Sequence, residues 1–114
     1  MDRKKELKEQ YRQMKPPMGV FQIRNLVNNR VFIDSGPDMK ARWNRHRFQL
    51  NFGSHPNKTL QEDWTKQGEK EFVFEVLSEL EWKTDGSEDY HEELQTLLDM
   101  TLDELNLDEG LIYR

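Results

Sequence analysis

The chain has 114 residues, and its 22 acidic side chains outnumber its 17 basic ones, for a formal net charge of −5 at pH 7. This length fits one domain, and the absence of cysteine excludes disulfides and thiolate metal sites. No apolar stretch is long enough to span a membrane, and the opening MDRKKELKEQ lacks the apolar core of a secretory signal. We therefore expect a single cytoplasmic domain with no membrane partner.

The net charge conceals an uneven distribution. Residues 1–74 hold 15 basic and 9 acidic side chains, whereas residues 75–113 hold 13 acidic side chains and one basic. Within the first part, residues 39–58 contain five Lys and Arg, two His and no acid. Such a basic stretch is typical of a phosphate-binding surface, although a solvated helix face has the same composition. The acidic residues 75–113 offer an alternative surface, for a protein partner.

The first predicted elements are a helix and a β-hairpin. Residues 3–15 have a narrow apolar stripe at helical spacing and end at two prolines. Residues 19–25 and 30–34 are rich in β-branched and aromatic side chains, and Asn28 and Asn29 between them suit a tight turn.

Two helices, a third strand and a final helix follow the hairpin. The first helix after the hairpin has Pro37 in its first turn. The next helix runs from an Asn57 N-cap to a stop at Gly68. Residues 71–81 alternate at first between apolar and polar, which predicts a strand, and residues 88–105 carry leucines on one helical face. The apolar stripe of the first helix consists of Met39, Trp43, His46 and Leu50.

The predicted order is therefore α-β-β-α-α-β-α. It indicates a mixed α/β (α+β) fold in which a small three-stranded antiparallel sheet is flanked by helices. We expect an N-terminal helix within residues 1–17, a main domain over residues 18–105 and a mobile tail over residues 106–114.

Two residue triplets and two residues of the following helix are separated by specific distances along the sequence. The chain reads GVF at residues 19–21 and FID at residues 32–34, with Arg42 eight positions after the second triplet and His46 four positions further on. This pattern resembles the GIY-YIG nuclease superfamily, whose triplets are Gly-Ile-Tyr and Tyr-Ile-Gly or Tyr-Val-Gly. Within the superfamily it is most similar to the catalytic domain of phage-type homing endonucleases. The resemblance covers about residues 18–105.

The resemblance implies hydrolysis of phosphodiester bonds with one divalent metal, usually Mg²⁺, and DNA as the partner, with RNA as an alternative. In the family an Arg stabilises charge on the phosphoryl oxygens, and a Tyr hydroxyl helps to activate water. Arg42 and His46 would thus be catalytic, although His46 also fits a packed core position, and Phe21 and Phe32 stand at the two tyrosine positions. Nucleic-acid contacts are implied for Lys40, Arg42, Arg45, Arg47 and His55.

Other positions depart from the family pattern. Phe21 and Phe32 have no hydroxyl with which to bond water or carry a proton. Asp34 replaces the second glycine and brings a carboxylate near the expected place of the scissile phosphate. There it would repel substrate or serve as a new metal ligand.

The family's metal-binding Glu has no single counterpart. When the last helix is aligned with the family by its apolar face, Leu98 stands in the position of the metal-binding Glu. Shifting the alignment places Asp99 or Glu93 there instead. Both carboxylates also fit an acidic face exposed to solvent.

Two classes of function therefore remain. The first is a nuclease-like domain that binds nucleic acid through its basic helix, with weak or lost cleavage, or with retained Mg²⁺-dependent endonuclease activity. The second is a non-enzymatic protein-interaction module that uses residues 75–113.

Overall fold

The computed structural model describes residues 16–82 and 90–114. The predicted fold class and the order of elements from the first strand onward are confirmed. The helix predicted within residues 3–15 and the polar turn at residues 83–87 lie outside the described residues, and the division into three segments stays a prediction. In chain order the structure contains strand β1 (Met18–Asn25), strand β2 (Val31–Gly36), helix α1 (Met39–Phe52), helix α2 (Lys58–Gln67), strand β3 (Phe72–Leu80) and helix α3 (His91–Leu105), with 3₁₀ turns at Glu69–Glu71 and Glu109–Leu111.

Strand β1 lies at the centre of the sheet, with β2 and β3 antiparallel on its two sides. Phe21 lies opposite Asp34, and Ile23 lies opposite both Phe32 of β2 and Phe74 of β3. Directly opposed residues of antiparallel strands project from the same face. The hairpin therefore places both phenylalanines of the altered triplets, and the aspartate, on one face of the sheet.

The main hydrophobic core lies between this face and helices α1 and α2. Trp43 of α1 packs edge-on against Trp64 of α2, with ring centroids 6.3 Å apart, and stacks on Phe74 at 5.9 Å. The Trp64 indole N–H donates to the Asn51 side chain at 2.9 Å, so the polar atom of this buried ring is paired. The buried residues of this core are Phe21, Ile23, Met39, Leu50, Leu60, Trp64, Phe72 and Tyr113.

Side-chain caps fix where α1 and α2 begin. Asp38 and Asn57 each accept a hydrogen bond at 3.0 Å from the backbone N–H three residues further on. The predicted Asn57 cap and the stop at Gly68 are confirmed. Because Asp38 is the cap of α1, Pro37 lies just outside the helix and not in its first turn.

Helix α3 packs on the opposite face of the sheet. Met18 of β1 forms a second buried cluster with Tyr90 and Leu94, and the Ser78 hydroxyl of β3 lies 3.1 Å from a threonine hydroxyl of α3. Because side chains alternate along a strand, Met18 points away from the face that carries the main core. Helices α1 and α3 are thus separated by the sheet. None of the described helices is long and apolar enough to cross a membrane.

The end of the chain docks on the sheet, which differs from the expectation of a mobile tail over residues 106–114. Ile112 forms a parallel bridge with Val31, at the outer edge of β2. Tyr113 is only 3% exposed, and the Arg30 guanidinium lies 4.4 Å from the centre of its ring. Burial of this aromatic ring favours a docked segment over a mobile one.

Hydrogen bonds to the Tyr113 hydroxyl hold this segment. The hydroxyl donates to Asp63 at 2.6 Å and accepts from the buried Asn25 amide at 3.0 Å. Burial, reinforced by the hydrogen bond to Asp63, raises the pKa of Tyr113 to about 12.

Tyr113→Phe should keep the ring but leave the Asn25 amide without its acceptor. We expect the free energy of unfolding, measured by urea denaturation at neutral pH, to fall by about 1–3 kcal/mol. Because folding raises the Tyr113 pKa from 10.0 to about 12, the native chain should also lose stability as the pH rises through this range, and the variant should lose less. Arg114→Ala breaks an exposed ion pair with Glu109 in the same segment and should change stability by less than about 0.5 kcal/mol. Equal losses in the two variants would contradict this account.

Candidate active site

Three polar side chains meet where β2, α1 and the loop before α2 come together. His46 Nε2 lies 2.8 Å from Asp34 Oδ2, and His46 Nδ1 lies 2.9 Å from His55 Nε2. Only 12% of the His46 side chain and 5% of His55 are exposed, so this chain of hydrogen bonds is largely shielded from water. His55, for which the sequence predicts a nucleic-acid contact, lies behind His46.

A backbone donor fixes the direction of these hydrogen bonds. The Asn57 backbone N–H donates to His55 Nδ1 at 3.0 Å, so this nitrogen is an acceptor and the His55 proton lies on Nε2. His55 Nε2–H then donates to His46 Nδ1, and His46 Nε2–H donates to Asp34, whose carboxylate only accepts. Each imidazole is held in one tautomer. In this arrangement His46 has no free lone pair with which to take a proton.

The surroundings of Asp34 and His55 favour one protonation state for each. Burial pushes the pKa of Asp34 upward, but hydrogen bonds from His46 and the Ser35 backbone N–H, together with the charge of Arg42, outweigh burial and hold the pKa below its usual value. Burial, reinforced by the proximity of His46, lowers the pKa of His55. At neutral pH the site therefore holds a carboxylate at position 34 and a neutral imidazole at position 55.

Two phenylalanine rings form the wall of this hydrogen-bonded chain. Phe32 meets His46 and His55 edge-on, with ring centroids 5.1 and 5.5 Å apart. Phe21 lies 6.2 Å from His46 and 5.2 Å from Phe74. The structure thus brings both residues at the family's tyrosine positions beside the histidines. Their rings pack there, but they offer no hydroxyl to a water molecule or a phosphate.

Arg42 extends from α1 along the edge of the same site. Its side chain is 44% exposed, and its Nη1 lies 3.7 Å from Asp34 Oδ2. The stem crosses Gly36 so closely that a Cβ there would lie 2.9 Å from Arg42 Nε, so the missing side chain of Gly36 leaves the space that Arg42 occupies. The carboxylate of Asp34 therefore has both His46 and Arg42 as partners.

Of the other basic residues of α1, only Arg45 lies on the same flank as Arg42. A helix turns by about 100° per residue, so Arg45 lies about 60° from Arg42, whereas Lys40 and Arg47 lie about 140–160° away on the other flank. Lys40 and Arg45 are exposed. Arg47 donates to the Glu69 carboxylate at 2.8 Å, so its charge is already paired. The nucleic-acid contacts predicted for this group stay predictions.

The candidate metal ligands lie on α3, across the sheet from α1. Asp99 is exposed and accepts a hydrogen bond from Gln95 at 3.2 Å, and Glu93 is half-buried. In the described part of the chain, no group of three His, Cys, Asp or Glu side chains is arranged to hold a metal ion, and Asp34 already accepts hydrogen bonds. The metal roles of Asp99 and Glu93 stay predictions.

Sequence reasoning missed the residues that hold His55 in place. Its backbone N–H donates to Gln61 Oε1 at 3.1 Å, and the Gln61 amide donates to the Leu50 carbonyl at 2.9 Å. Gln61 thus ties the loop to the last turns of α1. One signal was available: His55 lies two residues before the Asn57 cap, a spacing that lets a side chain accept from the cap's own backbone N–H.

The antiparallel sheet, the helix that carries Arg42 and His46, and the two altered triplets are similar to those of the GIY-YIG nuclease superfamily. Comparison with known proteins confirms the predicted resemblance to this superfamily. The curated Intron-associated endonuclease 1 of Enterobacteria phage T4 is 38% identical over 69 residues, which is 59% of this chain and 27% of that protein. The chain thus spans about a quarter of that relative's length.

Two solved structures of the catalytic domain of intron endonuclease I-TevI share the fold. The first is a point mutant, with a TM-score of 0.68 and 28% sequence identity. The match covers 86% of this chain and 92% of that domain. The second is the catalytic domain of homing endonuclease I-TevI, with a TM-score of 0.67 and 27% sequence identity. The match covers 84% of this chain and 95% of that domain. No protein-family profile matches the chain.

The histidine tautomers and their pH dependence test the hydrogen-bonded chain. Long-range ¹H–¹⁵N spectra near neutral pH should show both His46 and His55 protonated on Nε2. Because folding lowers the His55 pKa below 6.5, the unfolded chain binds this proton more tightly, and the free energy of unfolding should fall as the pH drops below 6.5. His55→Gln should weaken this dependence. His91→Gln, which removes an exposed histidine, should leave it in place.

Two results would refute the assignment. One is protonation of either site histidine on Nδ1. The other is an unchanged pH dependence of stability in His55→Gln.

Proposed function

We propose that this domain binds DNA through the flank of α1 that carries Arg42 and Arg45, and that its phosphodiester cleavage is weak or absent. The observation that carries the proposal is the Asp34 carboxylate, 2.8 Å from His46 Nε2 and 3.7 Å from Arg42 Nη1. The site thus holds its own anion beside the cation that would have to stabilise the charge that develops on the phosphoryl oxygens during cleavage. We infer DNA as the partner because the related proteins are named as an intron-associated endonuclease and a homing endonuclease.

Cleavage of a phosphodiester needs stabilisation of charge on the phosphoryl oxygens and activation of a water molecule. Asp34 partly neutralises Arg42, the group suited to the first task. For the second task, His46 has no free lone pair in the tautomer assigned from its hydrogen bonds, and Phe21 and Phe32 have no hydroxyl. All of these features support a binding role over a catalytic one.

The binding surface rests on exposure and on the absence of acids. Arg45 is exposed and Arg42 is 44% exposed, and the planar guanidinium suits two phosphate oxygens at once. No acidic side chain occurs in residues 39–58. With two main phosphate contacts, we expect modest affinity with a clear salt dependence.

Binding to a DNA duplex should weaken with salt and depend on this flank. Arg42→Ala/Arg45→Ala should lower the affinity measured by fluorescence anisotropy and reduce the slope of log K against log salt by about 2, at about 0.9 per phosphate contact. Arg24→Ala is the control for a single lost arginine, because it removes one positive charge on the α3 side of the sheet, where Arg24 pairs with Glu75 at 2.6 Å. It should leave the slope unchanged.

The absence of any DNA or RNA binding at low ionic strength would overturn the proposal. It would favour the protein-interaction module that uses residues 75–113. Tighter binding to RNA than to DNA would reassign the partner.

Plasmid cleavage tests the second half of the proposal. With Mg²⁺ or Mn²⁺, the wild-type chain should nick DNA at background rates, and Phe21→Tyr/Phe32→Tyr should do no better, because Asp34 still engages Arg42 and His46. Removal of a proton-transfer group alone costs about 10²–10⁴ in rate, so the assay must resolve slow nicking. Metal-dependent nicking by the wild type that Arg42→Ala abolishes would identify an active endonuclease instead.

A further inference from the structure

An exposed aromatic pair lies on the outer side of α1. Phe48 and Phe52 are 65% and 73% exposed, and their ring centroids lie 5.0 Å apart with the planes inclined by 31°. Large aromatic side chains in a small domain normally contribute to the core. These two rings contact each other and leave most of their surface to solvent.

The pair continues the flank that carries the two arginines. At about 100° per residue, Arg45, Phe52 and Phe48 lie roughly 60°, 80° and 120° from Arg42 in the same sense around the helix axis. The flank therefore passes from the edge of the Asp34 site to two basic groups and then to two aromatic rings. The paired Arg47 lies on the other flank.

The neighbours of the pair favour a nucleic acid over a protein as its occupant. The exposed α1 residues around the two rings are Asn44, Arg45 and Asn51, so the apolar area is limited to the rings themselves, whereas protein-binding patches are usually larger and contiguous. Among the residues that the structure describes, the other exposed large apolar side chains lie on the β1–β2 turn, β3 and α3. Aromatic rings beside cations in an acid-free stretch are typical of surfaces on which unpaired bases stack.

We infer that Phe48 and Phe52 form a stacking platform for unpaired bases of single-stranded DNA, whose backbone is held by Arg42 and Arg45. This inference rests on the proposed DNA binding and adds a preference for unpaired strands. A duplex keeps its bases stacked inside and offers the rings no base face, whereas a single strand or a duplex overhang does.

The experiment compares three labelled DNAs of one sequence: a single strand, a blunt duplex and a duplex with a single-stranded overhang. The full chain should bind the single strand and the overhang more tightly than the blunt duplex. Phe48→Ala/Phe52→Ala should lower affinity for the single strand by about tenfold, within the range for base–aromatic stacking, and leave duplex affinity and both salt slopes unchanged.

Phe48→Leu/Phe52→Leu is the sharper variant, because leucine keeps apolar bulk but has no π face. It should lose as much single-strand affinity as the alanine variant, and Phe52→Trp should restore or exceed wild-type binding. Met100→Ala, at an exposed apolar position on α3, should have no effect. Circular dichroism checks that each variant is folded.

Several outcomes would overturn the stacking platform while leaving the proposed DNA binding in place. These are equal affinity for single strand and duplex, alanine variants that bind as the wild type does, and leucine variants that retain full affinity. Dimerisation detected by light scattering and lost in the alanine variant would assign the pair to a second copy of the chain. Tighter binding to single-stranded RNA would assign it to RNA. Failure to bind any nucleic acid would remove the proposed function as well.

Discussion

The carboxylate of Asp34 is the group on which the rest of the site depends. It is partly buried, and a buried charge is tolerated only when it is paired and hydrogen-bonded. His46, the Ser35 backbone N–H and Arg42 supply that pairing. Once Asp34 is fixed as an acceptor, His46 must donate from Nε2, and the tautomer of His55 follows. The same residue that stabilises the arrangement therefore contacts both His46 and Arg42, the two residues to which the family resemblance assigns catalytic roles.

The chain of hydrogen bonds also links the site to the fold. It runs from a carboxylate on β2, through one histidine on α1 and another in the loop, to the backbone of the residue that caps α2. Because Gln61 joins the loop to the end of α1, this chain of hydrogen bonds connects the sheet with both helices. The phenylalanine rings of the altered triplets pack against the histidines of this chain of hydrogen bonds.

Local sequence patterns were sufficient for most of the fold but only for part of the site. Alternation predicted the strands, Asn57 and Gly68 marked the ends of α2, and the spacing of Arg42 and His46 placed them on one helix. The docked end of the chain could not be read locally, because the Tyr113 hydroxyl pairs with Asn25 and Asp63, far away in sequence. The contact between His46 and His55 likewise depends on the loop geometry, which no periodicity encodes.

The distribution of charge in three dimensions reconciles an acidic chain with the proposed nucleic-acid surface. Helix α3, which carries much of the acidic part, lies across the sheet from α1. Two layers of packing at about 10 Å each separate the helices by roughly 20 Å, about twice the Debye length of roughly 8–10 Å at physiological salt. Repulsion between these acids and a phosphate at Arg42 is thus largely screened. The carboxylate that matters is Asp34, 3.7 Å from Arg42 Nη1, and its single charge opposes a phosphate more directly than the whole acidic helix does.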